Sequence, residues 1–122
     1  MSAPELGDSR DWIDVCAADD IPPGTGRAAL LGDTQIAIVR SRDGERFYAL
    51  SNFDPFSKAF VIARGIVGDQ AGTPKISSPI FKQSFALTTG QCLDDPHVRL
   101  PVFPVRVSAN RVLVAFDAGR RP

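Results

Sequence analysis

Short runs of β-branched and aromatic residues, cut at close intervals by Gly, Pro, Asp and Asn, make up the chain between Trp12 and Phe116. No apolar stripe of helical period lasts long enough to bury a helix face. This punctuation constrains the fold more than any other feature, because such a chain can close a core only by laying sheets against each other. The expected fold is all-β, a sandwich or small barrel of antiparallel strands. Residues 12–16, 27–31, 35–40 and 47–51 read as strands, and Gly32-Asp33 and Asp43-Gly44 read as turns. Residues 21–26 cannot be regular structure, since Pro22 and Pro23 lack backbone donors and Gly24 and Gly26 loosen the chain. Strand character returns at 75–78 and 84–87. Thr89-Gly90 and Asp94-Asp95-Pro96 supply turns. A final hairpin is expected, with arms 102–107 and 111–116 around Ala109-Asn110. In its second arm Val112, Val114 and Phe116 alternate with Leu113 and Ala115, so both faces should be covered.

Between Asn52 and Ile76 the alternation breaks. The segment reads as mostly irregular, with room for one helical turn around 58–62. Irregular stretches of that length inside a compact domain tend to be functional, so the site is sought there first.

The chain has 122 residues, which suits one domain, expected over residues 11–118 with a polar lead-in at 1–10 and a short tail at 119–122. Lys plus Arg and Asp plus Glu are equal at 14 each, which argues against a nucleic-acid binder with a basic footprint. No apolar run reaches membrane-spanning length. The first residues lack a charged-then-apolar pattern, and the expected compartment is the cytoplasm. There Cys16 and Cys92 should stay free and semi-buried, with a disulfide between them as the alternative.

Two stretches carry a family resemblance. The first is residues 48–56 (YALSNFDPF) and the second is residues 76–93 (ISSPIFKQSFALTTGQCL). They resemble the two cluster-binding loops of Rieske domains, in which one loop carries Cys-x-His and the other Cys-Pro-x-His-Gly before a Phe-x-Leu strand and a Thr-Gly turn. Matched residue by residue, the first Cys falls on Asp54 and the first His on Phe56. The second Cys falls on Ser78, the second His on Phe81 and the following Gly on Lys82. A Rieske centre needs two thiolates on one iron and two imidazoles on the other. All four matching positions carry the wrong chemistry. The chain has one histidine, His97, so two imidazole ligands are excluded however it is aligned. The expected fold is therefore a Rieske-like domain with a degenerate two-loop subdomain. Phe56 and Phe81 are expected to fill the ligand space as an apolar plug.

This departure has a counterpart. The chain is similar to the small-subunit family of assimilatory NAD(P)H-dependent nitrite reductases, which is Rieske-like and lacks the cluster ligands. The matching blocks are residues 52–57, 64–69, 78–83 and 89–96. The resemblance implies a subunit with no active site, metal or cofactor of its own, which supports or regulates a large subunit carrying FAD, sirohaem and an iron–sulfur cluster. That large subunit would pass electrons from a nicotinamide to nitrite, giving ammonia. A stand-alone β-barrel binding module is the alternative, and an electron-transfer ferredoxin a further one.

The remaining candidates have plainer readings beside the functional ones. Phe53 and Phe60 are docking residues or loop core. Lys58, Arg64 and Lys82 form a basic rim for a partner or are simply solvated charges. Gly65, Gly68 and Gly72 read as turn glycines, because no phosphate-binding motif surrounds them. Asp94 and Asp95 read as turn or capping residues rather than a carboxylate pair. Cys92 with His97 lacks an orienting third group and reads as structural. Trp12 is expected in the core at a sheet edge.

Overall fold

A computed structural model describes residues 12–116. The proposed lead-in and tail, and the boundaries that separate them from the domain, lie outside the described residues. The strands are β1 (Trp12–Ala17), β2 (Gly26–Leu31), β3 (Thr34–Arg40), β4 (Phe47–Ser51), β5 (Phe53–Asp54), β6 (Ala59–Phe60), β7 (Ile66–Gln70), β8 (Thr73–Ser77), β9 (Ser84–Ala86), β10 (Val102–Phe103), β11 (Val105–Ser108) and β12 (Arg111–Ala115). Single turns of 3-10 helix occupy Ala18–Asp20 and Ile62–Arg64. The chain is all-β, as its punctuation predicts.

Three antiparallel sheets form, with strand orders β1-β12-β11, β10-β4-β3-β2 and β7-β8-β9, beside a small β5-β6 ribbon. Tight turns fix their registers. Leu31 pairs with Thr34 across Gly32, whose φ is 63°. Ser108 pairs with Arg111 across Ala109 and Asn110, both with positive φ (50° and 64°). That pair matches the type I′ geometry suited to a twisted hairpin.

The four-stranded sheet lies between two cores. On β3, Ala37 and Val39 face a core with Ile62, Ile76, Phe85, Leu87, Cys92 and Leu100. Ile36 and Ile38 face the opposite core, with Cys16, Ile21, Leu31, Val112, Val114 and Phe116. On β4, Leu50 joins the first core and Ala49 the second. A strand buried on both faces reads as an unbroken apolar run, which is how Ile36-Ala37-Ile38-Val39 looks in the sequence.

Two sequence expectations need correction. The arm expected over 102–107 is two strands in two sheets. Val102 and Phe103 pair with Leu50 and Ala49, whereas Val105 to Ser108 pair with β12. Pro104 makes the change, since it offers no N–H to either ladder. The segment 52–76 is mostly ordered rather than irregular. It contains β5, β6, β7 and most of β8, and its helical turn sits at Ile62–Arg64 instead of around 58–62.

Asn52 explains much of that order. Its buried side chain accepts the Ala63 N–H at 2.7 Å and donates to Gln35 Oε1 at 3.2 Å, while the Asn52 backbone carbonyl accepts the Ile62 N–H at 3.2 Å. One amide thus ties the 3-10 turn to β3. Gly65 follows where a Cβ would lie 2.3 Å from the Ser77 carbonyl oxygen. A side chain there would push β7 off β8.

Candidate functional site

The two loops that carry the resemblance are built alike. In the first, Asp54 Oδ1 accepts the Phe56 N–H at 2.9 Å, and the Asp54 carbonyl accepts the Lys58 N–H at 2.7 Å. In the second, Ser78 Oγ accepts the Ile80 N–H at 3.3 Å, and the Ser78 carbonyl accepts the Lys82 N–H at 3.1 Å. Each loop is opened by a small polar residue that caps its own turn and closed by a lysine at positive φ, 61° at Lys58 and 67° at Lys82. The Ser78 N–H also donates to the Gln83 carbonyl at 2.8 Å, closing the second loop at its neck.

Asp54 and Ser78 join the loops. The Ser78 hydroxyl donates to Asp54 Oδ2 at 2.6 Å, and the Ser57 hydroxyl donates to the same oxygen at 2.9 Å. Asp54 has no exposed surface and Ser78 almost none. Burial pushes the Asp54 carboxyl up, but hydrogen bonds from Ser78, the Phe56 N–H and Ser57 outweigh it and hold the group below the usual carboxylate range. The joint is therefore an ionised carboxylate held by three hydrogen bonds.

Phe56 and Phe81 part company. Phe56 is partly buried on the Phe85 side of the core, with ring centroids 6.3 Å apart. Phe81 is 57% exposed, so the expected two-phenylalanine plug is wrong in that half. The physical reason is that the Asp54–Ser78 bond already draws the loops together and leaves no interior for a second ring. Phe53 stacks at a tilt on Phe60 across the β5-β6 ribbon, with centroids 5.1 Å apart. Phe60 itself is 52% exposed and Ile80 45%. Lys58, Arg64 and Lys82 are exposed, and none forms an ion pair among the described residues. Ile80 is a docking candidate that no local pattern in the sequence marks, since an isoleucine is by default a core residue.

The residues present do not fit a [2Fe-2S] cluster. The four ligand positions supply a carboxylate, a hydroxyl and two phenyl rings, and the two polar groups bond to each other. Among the described residues no group of three or more His, Cys, Asp or Glu side chains converges as a metal site.

The other candidates are structural. Asp94 Oδ2 accepts the Ser84 N–H at 2.8 Å and Asp95 Oδ1 accepts the His97 N–H at 2.9 Å, which is capping work for both. Cys92 is buried in the core, whereas His97 is exposed on its turn. Cys16 and Cys92 are free, and burial pushes the Cys16 thiol up. Trp12 is half-buried on edge strand β1, with the Arg106 guanidinium 4.5 Å above its ring. Gly72 is a turn glycine with φ 86°, but Gly65 is kept for close approach and Gly68 lies within β7. No described helix is long and apolar enough to cross a membrane.

Comparison with known proteins places this geometry. The Rieske-like [2Fe-2S] domain family matches residues 11–115. The crystal structure of a Mycobacterium tuberculosis protein assigned as an NADH-dependent nitrite reductase small subunit superposes with a TM-score of 0.84. It is 49% identical, over 91% of this chain and 99% of that one. The nitrite reductase (NADH) small subunit of Escherichia coli K12 is 41% identical over 96 residues, covering 79% of this chain and 89% of the relative. The nitrite reductase [NAD(P)H] large subunit of Klebsiella oxytoca is 40% identical over 106 residues, which cover 87% of this chain but 11% of that longer protein. The chain belongs to the Rieske-like [2Fe-2S] domain family and, within it, to the nitrite reductase small subunits.

Proposed function

We propose that the chain is a non-catalytic subunit of a cytoplasmic NAD(P)H-dependent nitrite reductase. It acts in nitrate assimilation by protein contact, supporting or regulating a large subunit that carries FAD, sirohaem and an iron–sulfur cluster and reduces nitrite to ammonium. The observation that carries this reading is the Ser78–Asp54 hydrogen bond, which occupies both thiolate positions with groups already committed to each other. Groups committed in that way are unavailable to iron, which supports a role through contact rather than electron transfer. A second support is the matching domain inside a Klebsiella oxytoca large subunit, where the two would be neighbours on one chain.

The test is reconstitution. The purified chain should be colourless, free of iron and inert with nitrite, and should form a stable complex with the cognate large subunit. Addition of the chain should change the large subunit's nitrite-dependent NAD(P)H oxidation or its stability. A chain that binds no large subunit, or that purifies with stoichiometric iron and sulfide, overturns the proposal. The second result would favour the ferredoxin reading.

A further inference from the structure

The two loops themselves present cations and apolar side chains in a chain with no net charge, with the exposed acid Asp94 capping the Ser84 N–H beside the neck of the second loop. From residue 52 to 68 the one acid is Asp54, which is buried and bonded inward, and from residue 71 to 93 there is none. The exposed charges in these segments are those of Lys58, Arg64 and Lys82, while Lys75 is half-buried on β8 and donates to Ser84 Oγ. The three exposed cations have no ion-pair partner among the described residues. The same segments carry Phe60, Ile80 and Phe81, all about half exposed. Both lysines hold positive backbone angles, and each loop is braced by its own capping residue. The surface is therefore formed before any partner arrives, which lowers the ordering cost of binding.

From this we infer that the loop end is the face that docks onto the large subunit, and that its receptor is an apolar recess rimmed by carboxylates. The inference rests on the nitrite reductase reading and adds the contact patch and its chemistry. Phe81 would be the central anchor, since an exposed ring flanked by a cation is the kind of residue that carries interface energy. The lysines would steer approach and set orientation. The large subunit is chosen as occupant because a relative carries this domain within that longer chain, and because an unopposed cationic rim disfavours a second copy of the same face.

The experiment measures binding of the chain to the purified cognate large subunit by biosensor at low and high salt. Phe81→Glu and the pair Lys58→Glu with Lys82→Glu should each weaken binding by about thirtyfold or more, a hot-spot effect. The lysine loss should appear mainly as a slower on-rate whose salt dependence is gone. Val107→Glu, at a half-exposed site on the far sheet, should bind as the wild type does. Thermal melts of every variant check that folding is intact, and Phe81→Ala, with less disturbance, stands in if Phe81→Glu misfolds. Wild-type binding that survives all the loop changes overturns this inference and leaves the subunit reading in place. Absence of wild-type binding overturns the subunit reading instead. Sedimentation showing a dimer of the chain alone that Phe81→Glu dissolves would assign the face to self-association and overturn the inference.

Discussion

Asp54 sits out of contact with solvent yet remains ionised, because three donors, the Phe56 N–H and the Ser57 and Ser78 hydroxyls, meet its two carboxylate oxygens. Its folded-state pKa lies below the unfolded value of about 3.9. The unfolded chain therefore takes up the proton first as pH falls. The carboxylate's contribution to stability is complete above about pH 5 and is lost as pH drops through the folded pKa. Urea titrations should show stability falling on the acid side of pH 5, and Asp54→Asn should flatten that fall. Asp43 is also held low, first by its hydrogen bond from Ser41, so the comparison with Asp54→Asn is needed to isolate the buried group. At neutral pH, Asp54→Ala should cost on the order of 3 kcal/mol, since it orphans Ser78 inside the joint. Phe81→Ala should change stability by less than about 0.5 kcal/mol, as surface changes do. A loss of several kcal/mol at Phe81 would mean that the ring is core after all. The sequence identified both residues by position but not by behaviour. That Asp and Ser replace two ligands is readable from the string. That they would bond to each other, and so displace the expected phenylalanine plug, depends on how close two loops come across the fold.

Among the elements, hairpins were the easiest to read and the sheet crossings the hardest. Ala109-Asn110 announces its turn locally, as does Gly32-Asp33, because turn geometry is set by the residues within it. The split at Pro104 and the strands hidden between residues 52 and 76 are not local. β5 and β6 are two residues each, too short to leave an alternating pattern. β7 carries Gly68 and Asp69 and is a strand because β8 pairs with it. Local turn chemistry also leaves room for improvement. Ala109 holds φ 50°, a left-handed conformation that an alanine adopts at a cost of about 1 kcal/mol. Ala109→Gly should therefore stabilise the fold by up to about 1 kcal/mol, after the flexibility glycine adds to the unfolded chain, and so raise the urea midpoint of unfolding. An unchanged or lowered midpoint would show that the strain is already relieved by the twist of β11 and β12. Gly90 is the opposite case. A Cβ there would lie 1.9 Å from the Leu100 carbonyl oxygen at φ 79°, so Gly90→Ala should unfold or severely destabilise the domain.

At the scale of the molecule, the loop end and the β1-β12-β11 sheet could have been separate folding units, since each has its own core. The shared sheet forbids that. Val39 and Leu50 belong to the core beneath the loops, and Ile38 and Ala49, their neighbours in the chain, to the core on the other side. Losing either core strips one face of β3 and β4 and exposes a run of apolar side chains, so the two should fail together. Trp12 reports on β1, which belongs to a sheet separate from the elements that carry the Asp54–Ser78 joint, and provides the probe. Its fluorescence should change at the same urea concentration as the far-ultraviolet circular dichroism. Phe85→Ala in one core and Val112→Ala in the other should each shift both signals equally. Truncating the fully buried phenylalanine should cost about 3–5 kcal/mol, and the valine somewhat less. If Phe85→Ala instead melted the circular dichroism early and left the Trp12 signal in place, the loop end would be an independent unit. It would then need its partner for order, and the preformed docking surface would have to be given up.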